Sequence, residues 1–378
     1  MINRQYDIEK IQKLIRLFPA TAILGARQSG KTTLARQLGA DHYFDLENPR
    51  DLSLLAHPQT TLENLNGLVV IDEIQRKPEL FPLLRYLIDH NPQTRYVILG
   101  SASRELIQQS SESLAGRIGH YQLGGLRLID VGADNLRRLW VQGGMPKAYT
   151  LDSGDAGQWN ANYITALLER DFPQLGIRVP SYTMRRFWMM LSHYHGQVVN
   201  YSELAKSFGI SSHTAKKYIE LLAGTFMVRQ LQPWYVNIGK RVVKNPKLYI
   251  RDSGILHSLI SIRCYEDILS YNRLGALWEG FAMEQVSRSL DLRDDELFYW
   301  RTHGGSEVDL FWQAHGKNWA VEFKYADAPD LSKSMTICLD DLQLEHLWVV
   351  YPGKDRYQLH DKVTVLPLAD IEDEWRYS

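Results

Sequence analysis

The sequence predicts an α/β protein: a doubly wound parallel sheet in the N-terminal third, then helices, a helix-turn-helix and a second α/β unit. Three observations predict it. A glycine loop, Gly25–Thr33, stands between a short apolar strand and a helical stretch. The apolar run Leu68–Ile71 ends in two acids, Asp72 and Glu73. Near the C-terminus, two alternating segments, Ser306–Trp312 and Trp319–Tyr325, carry acids at spacings that a hairpin brings together.

Composition bounds the possibilities. A chain of 378 residues accommodates two or three domains and ample core. The net charge of −1 advertises neither nucleic acid nor membrane by itself, so charge must be read by segment. Cys264 and Cys338 make no disulfide framework, and their spacing matches no metal site. Met1–Gln5 lacks the apolar core of a signal peptide. No apolar run approaches the ~20 residues that span a bilayer. A cytoplasmic protein without a membrane partner is the expectation.

The N-terminal third reads in order. Ile8, Ile11, Leu14 and Ile15 recur on one face of a helix over residues 5–17. Ala20–Leu24 is an apolar strand. Gly25-Ala26-Arg27-Gln28-Ser29-Gly30-Lys31-Thr32-Thr33 then reads G-x-x-x-x-G-K-T, the P-loop pattern. Such a loop aims backbone N–H groups, including those of Arg27, Gln28 and Ser29, at a phosphate chain. Gly25 and Gly30 permit the backbone path. Lys31 supplies a point charge for the β/γ-phosphates, Thr32 a hydroxyl for Mg²⁺, and the following helix its positive end. His42–Glu47 is a second strand. Leu68–Glu73 has the Walker B pattern: Asp72 to hold Mg²⁺, Glu73 to orient the attacking water. Arg95–Ser103 is a further strand, and Ser101 at its end is a candidate γ-phosphate sensor. Arg117 follows within Ser113–Ile118. These elements predict an α/β doubly wound domain over residues 1–128.

The middle of the chain is helical. Gly143–Pro146 is a punctuated turn, and residues 158–172 form a helix ending Leu167–Asp171. Phe187, Met190, Leu191 and Tyr194 mark a helix over 181–195. Asn200–Leu222 reads as two helices joined at Gly209–Ser211, with Leu204, Ala205, Ile210, Ala215 and Ile219 as core. Ser212, His213, Lys216 and Lys217 then face a DNA groove or phosphates. Phe226–Leu231 resembles a wing. Residues 174–251 carry 12 Lys+Arg against 2 Asp+Glu, a basic footprint inside a neutral chain. Winged helices also serve as protein-interaction modules, so both partners stay open.

In the C-terminal third, Glu279 lies on a helix over 274–290. Asp309 and Glu322 meet across the hairpin, with Lys324 on the same face as Glu322. Two carboxylates at one point suit Mg²⁺, and a lysine beside them positions water on a phosphodiester. Asp…Glu-x-Lys is the restriction-endonuclease-like, PD-(D/E)XK signature. Residues 327–378 carry 11 Asp+Glu against 5 Lys+Arg and are not expected to hold DNA.

Together with Ile71–Gln75, Leu99–Ser103, Leu114–Arg117, Gly143–Pro146, Glu169–Asp171 and Glu307–Asp309, these motifs make the chain resemble prokaryotic AAA-type (AAA+) ATPases fused to a restriction-endonuclease-like C-terminal domain. The resemblance covers nearly the whole length. It implies an AAA+ core at 1–128, a helical lid or connector at 129–178, a winged helix-turn-helix at 179–250 and a nuclease-like domain at 251–378. It implies ATP and Mg²⁺ as cofactors, with Lys31, Thr32, Asp72 and Glu73 in the Walker roles and Ser101 as sensor 1. Arg117 becomes a trans-acting finger in a ring, plausibly a hexamer. The C-terminal fold is similar to Holliday-junction resolvases, with Glu279, Asp309, Glu322 and Lys324 as its metal-site residues. The expected function is ATP-driven binding and remodelling of branched or forked DNA, by helicase or branch-migration activity, in repair, recombination or defence. The alternative is a nucleotide-controlled switch that recruits protein partners, with a non-cutting nuclease-like scaffold.

Overall fold

The computed structural model describes residues 2–101, 112–235 and 243–375, with only the backbone of Ser101. They form two compact units. One comprises Met1–Leu126, Met145–Lys147 and Gly224–Phe226; the other comprises Arg127–Gly144, Ala148–Ala223 and Met227–Ser378.

The first unit is built on five strands: β1 (Ala20–Gly25), β2 (His42–Asp45), β3 (Gly67–Asp72), β4 (Thr94–Ser101) and β5 (Ile118–Gln122). They lie in the order β2-β3-β4-β1-β5, every neighbouring pair parallel. The strand β1 is buried throughout, as its unbroken apolar run requires in a sheet covered on both faces. Its alternate residues feed two cores. Ala20, Ala22 and Leu24 pack with Ile71, Phe81 and Leu84; Ile23 packs with Ile8, Ile11, Leu34 and Val97. Helix Gln5–Leu17 thus lays its expected apolar face on the sheet. The helix after the glycine loop is Lys31–Ala35, shorter than the sequence suggests, and Gly39 (φ +70°) turns the chain out toward β2. Parallel strands share one carboxyl edge. Their register sets Gly25 level with Ser101, and Asp45 level with Asp72. Ligands of such sheets gather at that edge.

The second unit carries a nine-stranded mixed sheet, ordered β13-β14-β12-β11-β10-β9-β7-β8-β6. Its strands are β6 (Gln197–Val198), β7 (Val228–Pro233), β8 (Lys247–Ile250), β9 (Phe298–Arg301), β10 (Glu307–Ala314), β11 (Lys317–Phe323), β12 (Leu344–Tyr351), β13 (Tyr357–His360) and β14 (Val363–Pro367). The expected acidic hairpin is β10–β11, antiparallel with Leu310 opposite Val321. The segment expected as a wing hairpin enters β7, which pairs antiparallel with β8. The end of β7 also pairs in parallel with β9, Gln232 opposite Phe298, so β6–β8 and the β10–β11 hairpin belong to one sheet.

Helices of this unit follow the sequence with shifted ends. The connector helix runs Ser153–Ala166 and widens into a π-helical turn at Leu167–Asp171. Helices Ser181–Ser192, Tyr201–Phe208 and Ser212–Gly224 bury Phe187, Trp188, Leu204, Ala205, Ala215 and Ile219, while Ile210 is half-buried. Phe187 meets the edges of Phe208 and Tyr218. Helix Leu274–Ser289 is buried along most of its length. Among the described residues, no helix is long and apolar enough to cross a membrane.

Candidate functional site

The glycine loop closes on itself around a lysine. A Cβ at Gly25 would meet the Leu123 carbonyl oxygen at 2.2 Å, so only glycine fits where the loop leaves β1. Gln28 (φ +60°) and Gly30 (φ +96°) take the left-handed backbone that turns the loop into its helix. Lys31 is buried, and its Nζ donates to the carbonyls of Gly25 (3.0 Å) and Ala26 (2.9 Å). Burial lowers its pKa to about 8, against the pull of Glu73 and Asp72. The hydroxyl of Ser29 is buried without a hydrogen-bond partner. A buried ammonium bonded to two carbonyls, beside an unpartnered hydroxyl, has the chemistry of an anion site. Arg27 is half-buried and lies 3.5 Å from Glu47; Gln28 and Thr33 are exposed.

Asp72 gathers the metal-side groups. Its Oδ2 accepts from Thr32 Oγ1 (2.8 Å) and from the Tyr43 hydroxyl (2.7 Å), and its Oδ1 from the Glu73 amide (2.9 Å). Thr32 and Asp72 are therefore already side by side, as ligands of one Mg²⁺ must be. Glu73 has φ +56°, and its carboxylate accepts from Gln75. Burial raises its pKa. The residues fit a Mg²⁺–nucleoside triphosphate: Gly25–Thr33 around the phosphates, Thr32 and Asp72 on the ion. Such a group supplies a labile terminal phosphoanhydride; Glu73 is the carboxylate at hand to orient water toward it.

Two groups here escaped the sequence. Arg4 is buried and donates to the Ser29 carbonyl (2.9 Å), Gly124 (3.1 Å), Gly125 (3.3 Å) and Asp7 (2.7 Å). It braces the glycine loop from a segment before the first helix; partners so distant in sequence leave no local signal. Tyr43 reads as an ordinary strand residue until pairing of β2 with β3 brings it to Asp72. Arg117 is on the surface in a two-pronged pair with Asp89 (2.7 and 3.0 Å), not at Lys31 of its own chain. The side chain of Ser101, and Ala102–Ser103, lie outside the described residues.

In the second unit the helix pair is locally well determined. Asn200 caps the first helix by accepting from the Glu203 amide (3.2 Å), Gly209 ends it at φ +73°, and Ser211 Oγ accepts from Thr214 N (3.0 Å) ahead of the second. Ser212, His213, Lys216 and Lys217 are all exposed on the second helix. The basic count of the segment overstates its surface charge. Arg229 is buried against Glu284 (2.7 Å) and Asp294 (2.6 Å), and Arg251 binds the same two acids. Lys247 is buried as well, and Lys240 and Arg241 lie outside the described residues. Sequence proximity made these cations look like one patch; their acids lie downstream of residue 251.

Lys247 turns out to sit in the expected metal site. Its Nζ lies 3.0 Å from Glu279 Oε1 and 3.0 Å from Asp309 Oδ1, and it is ion-paired with Glu307. Asp309 Oδ2 accepts from the Phe323 amide (3.0 Å), and Glu279 also accepts from Tyr249. Glu322 Oε1 accepts from Lys324 Nζ (2.7 Å), while its Oε2 is buried without a partner. Glu279 and Asp309 thus do converge, but around an ammonium, while Glu322 pairs with Lys324. Burial and the Asp309 charge raise the pKa of both Glu279 and Glu322. Burial pulls Lys247 down, yet Glu279, Asp309 and Glu307 outweigh it and hold its pKa well above the usual lysine value. Among the described residues, no group of three or more His, Cys, Asp or Glu is disposed to hold a metal ion. One orphaned oxygen, Glu322 Oε2, does not make the oxygen shell that Mg²⁺ demands. The arrangement does not fit a divalent ion.

Three family models match parts of the chain. Residues 17–131 match the family described as AAA domain, residues 133–265 the Domain of unknown function DUF8612, and residues 274–371 the Domain of unknown function DUF4143. The Uncharacterized protein Rv2008c of Mycobacterium tuberculosis is 44% identical over 379 residues, 98% of this chain and 85% of its own. The Uncharacterized protein Mb2031c of Mycobacterium bovis has the same values. Among solved structures, the Walker-type ATPase PABY2304 of Pyrococcus abyssi is similar at TM-score 0.48 and 17% identity, over 69% of this chain and 96% of that one. The Thermotoga maritima RuvB Holliday junction branch migration motor is similar at TM-score 0.30 and 15% identity, over 61% and 90%. The chain belongs to one family with the two mycobacterial proteins, and it carries an AAA domain at residues 17–131 and a DUF4143 domain at residues 274–371.

Proposed function

We propose that this protein is a cytoplasmic, Mg²⁺-dependent ATPase whose turnover remodels DNA held by the second unit. The observation that carries the ATPase reading is the convergence of Lys31, Thr32, Asp72 and Glu73 at the carboxyl edge of the parallel sheet. Lys31 neutralises the β/γ-phosphates, Thr32 and Asp72 hold Mg²⁺, and Glu73 orients the attacking water. Ser101 is the sensor, and Arg117 completes a neighbour's site in a ring, which its surface position on the first unit supports.

DNA as partner is supported by the helix pair at Tyr201–Gly224, a winged helix-turn-helix whose second helix exposes Ser212, His213, Lys216 and Lys217. Branched or forked DNA is the substrate class of this reading. A second reading is favoured by Lys247: a nucleotide-controlled switch whose PD-(D/E)XK-like unit binds partners without cutting. The two divide on one experiment, ATP turnover with Mg²⁺ measured with and without forked DNA at low and physiological salt. Salt-sensitive stimulation, abolished in Lys31→Ala, is the outcome expected of a DNA remodeller. Turnover indifferent to DNA at every salt concentration overturns the DNA role and leaves the switch.

A further inference from the structure

We propose that Lys247 is the resident cation of the acidic cluster and that the C-terminal domain works without a divalent metal. Three carboxylates, from helix Leu274–Ser289 and from β10, converge on one buried Nζ, at 3.0 Å for Glu279 and 3.0 Å for Asp309, with Glu307 closing the set. Each acid has a second partner as well. Asp309 holds the Phe323 amide, Glu279 the Tyr249 hydroxyl, and Glu307 lies 3.4 Å from Arg301. The acids therefore have donors, and the point where a metal would draw their oxygens together is filled by nitrogen. Mg²⁺ requires near-octahedral oxygen ligands at about 2.0–2.1 Å, and Lys247 would have to leave before such a shell forms.

The origin of the lysine gives the cluster a purpose other than hydrolysis. Lys247 opens β8, which pairs with β6 and β7 of the helix-turn-helix segment. The acids belong to the helix and hairpin that follow. The ion cluster is thus a covalently tethered clasp between the two halves of the nine-stranded sheet, and a tethered cation cannot be removed by a chelator. Lys324, outside the clasp and 43% exposed, is paired with Glu322. This inference sharpens the non-cutting reading of the domain and does not depend on the ATPase assignment.

The test is a nucleotide-free Mn²⁺ titration of the full chain, read as free Mn²⁺ by electron paramagnetic resonance. Wild type and Asp309→Asn are expected to bind Mn²⁺ equally, because no ion sits on Asp309. Lys247→Met, with its fold checked by circular dichroism, is expected to gain one Mn²⁺ at least about tenfold tighter than wild type, lost again in Lys247→Met/Asp309→Asn. A Mn²⁺ bound by wild type and lost in Asp309→Asn overturns the proposal, as does a folded Lys247→Met that gains none. If Lys247→Met does not fold, the wild-type and Asp309→Asn pair decides: equal binding supports the clasp, unequal binding refutes it. The titration contains neither ATP nor DNA, so its failure leaves the turnover assay untouched.

Discussion

Replacing Lys31 with methionine is expected to stabilise the nucleotide-free protein while destroying its nucleotide site. Lys31 is buried at the head of the helix that follows β1, and burial lowers its pKa from the ordinary 10.5 to about 8. Between those values the unfolded chain binds a proton that the folded chain does not, so stability rises with pH across that window and the charged lysine is a burden below it. At 1.36 kcal/mol per pKa unit, the burden near neutral pH is about 3 kcal/mol. Methionine keeps the stem and removes the charge. It also strips the Gly25 and Ala26 carbonyls of a donor, which costs about 1–2 kcal/mol and leaves a net gain of about 1–2 kcal/mol. The assay is thermal unfolding at pH 7.5 and 9.5, following the transition that ATP and Mg²⁺ raise in wild type. Lys31→Met should melt a few degrees higher at pH 7.5 and show no nucleotide shift. Its advantage should fall by about 2 kcal/mol at pH 9.5, where wild type has shed most of the burden. A lower melting temperature at pH 7.5, or a gap unchanged at pH 9.5, would refute the reasoning.

Three further outcomes are expected. Arg4→Gln, which withdraws the guanidinium from the Ser29, Gly124 and Gly125 carbonyls, should raise the KM for ATP about ten- to a hundredfold with a smaller change in kcat, checked by steady-state kinetics. Lys216→Ala and Lys217→Ala should each reduce the slope of log K against log salt for DNA by about 0.9, and a slope unchanged in both removes that helix from the interface. Arg117→Ala should lose turnover, and mixing it with Glu73→Gln subunits should restore part of it. Each variant then supplies what the other lacks, and absence of rescue argues against action in trans.

Legibility in the sequence followed the range of the interactions. The P-loop could be read because its chemistry is local: nine consecutive residues, Gly25–Thr33, carry loop, lysine and hydroxyl. The helix pair could be read because caps and cores lie within a few residues of one another, as with Asn200 and Glu203. Arg4, Tyr43 and Lys247 could not. Each acts through partners on other elements, reached only when the sheets form. The charge count over 174–251 failed for the same reason. Arg229, Lys247 and Arg251 were tallied with their sequence neighbours, whereas their electrostatic neighbours are Glu279, Glu284, Asp294 and Asp309. The acidic hairpin was foreseen in position, but which cation stands in it is a question of tertiary pairing between β8 and the rest of the sheet.

The same substitution should have the opposite sign at the second buried lysine. Lys31 and Lys247 are both almost wholly inaccessible, and burial alone disfavours the charge of each. They differ in what surrounds the nitrogen. Lys31 has two carbonyl dipoles as hydrogen-bond acceptors and acids only at a distance, so desolvation wins and the site gains by receiving an anion. Lys247 has Glu279, Glu307 and Asp309 at hand, so Coulomb attraction wins and nothing further is required. Lys247→Met removes the compensation and leaves buried carboxylates facing one another, a change that costs about 3–5 kcal/mol when one partner of a buried ion cluster is lost. Chemical denaturation should therefore show Lys247→Met markedly destabilised at pH 7.5, with the loss lessened as pH falls and the carboxylates protonate. Added Mn²⁺ should recover part of it in Lys247→Met and none in Lys247→Met/Asp309→Asn. A Lys247→Met protein as stable as wild type in the absence of metal would mean that the three acids do not depend on this ammonium, and the contrast between a lysine dominated by desolvation and one dominated by its acids would fall.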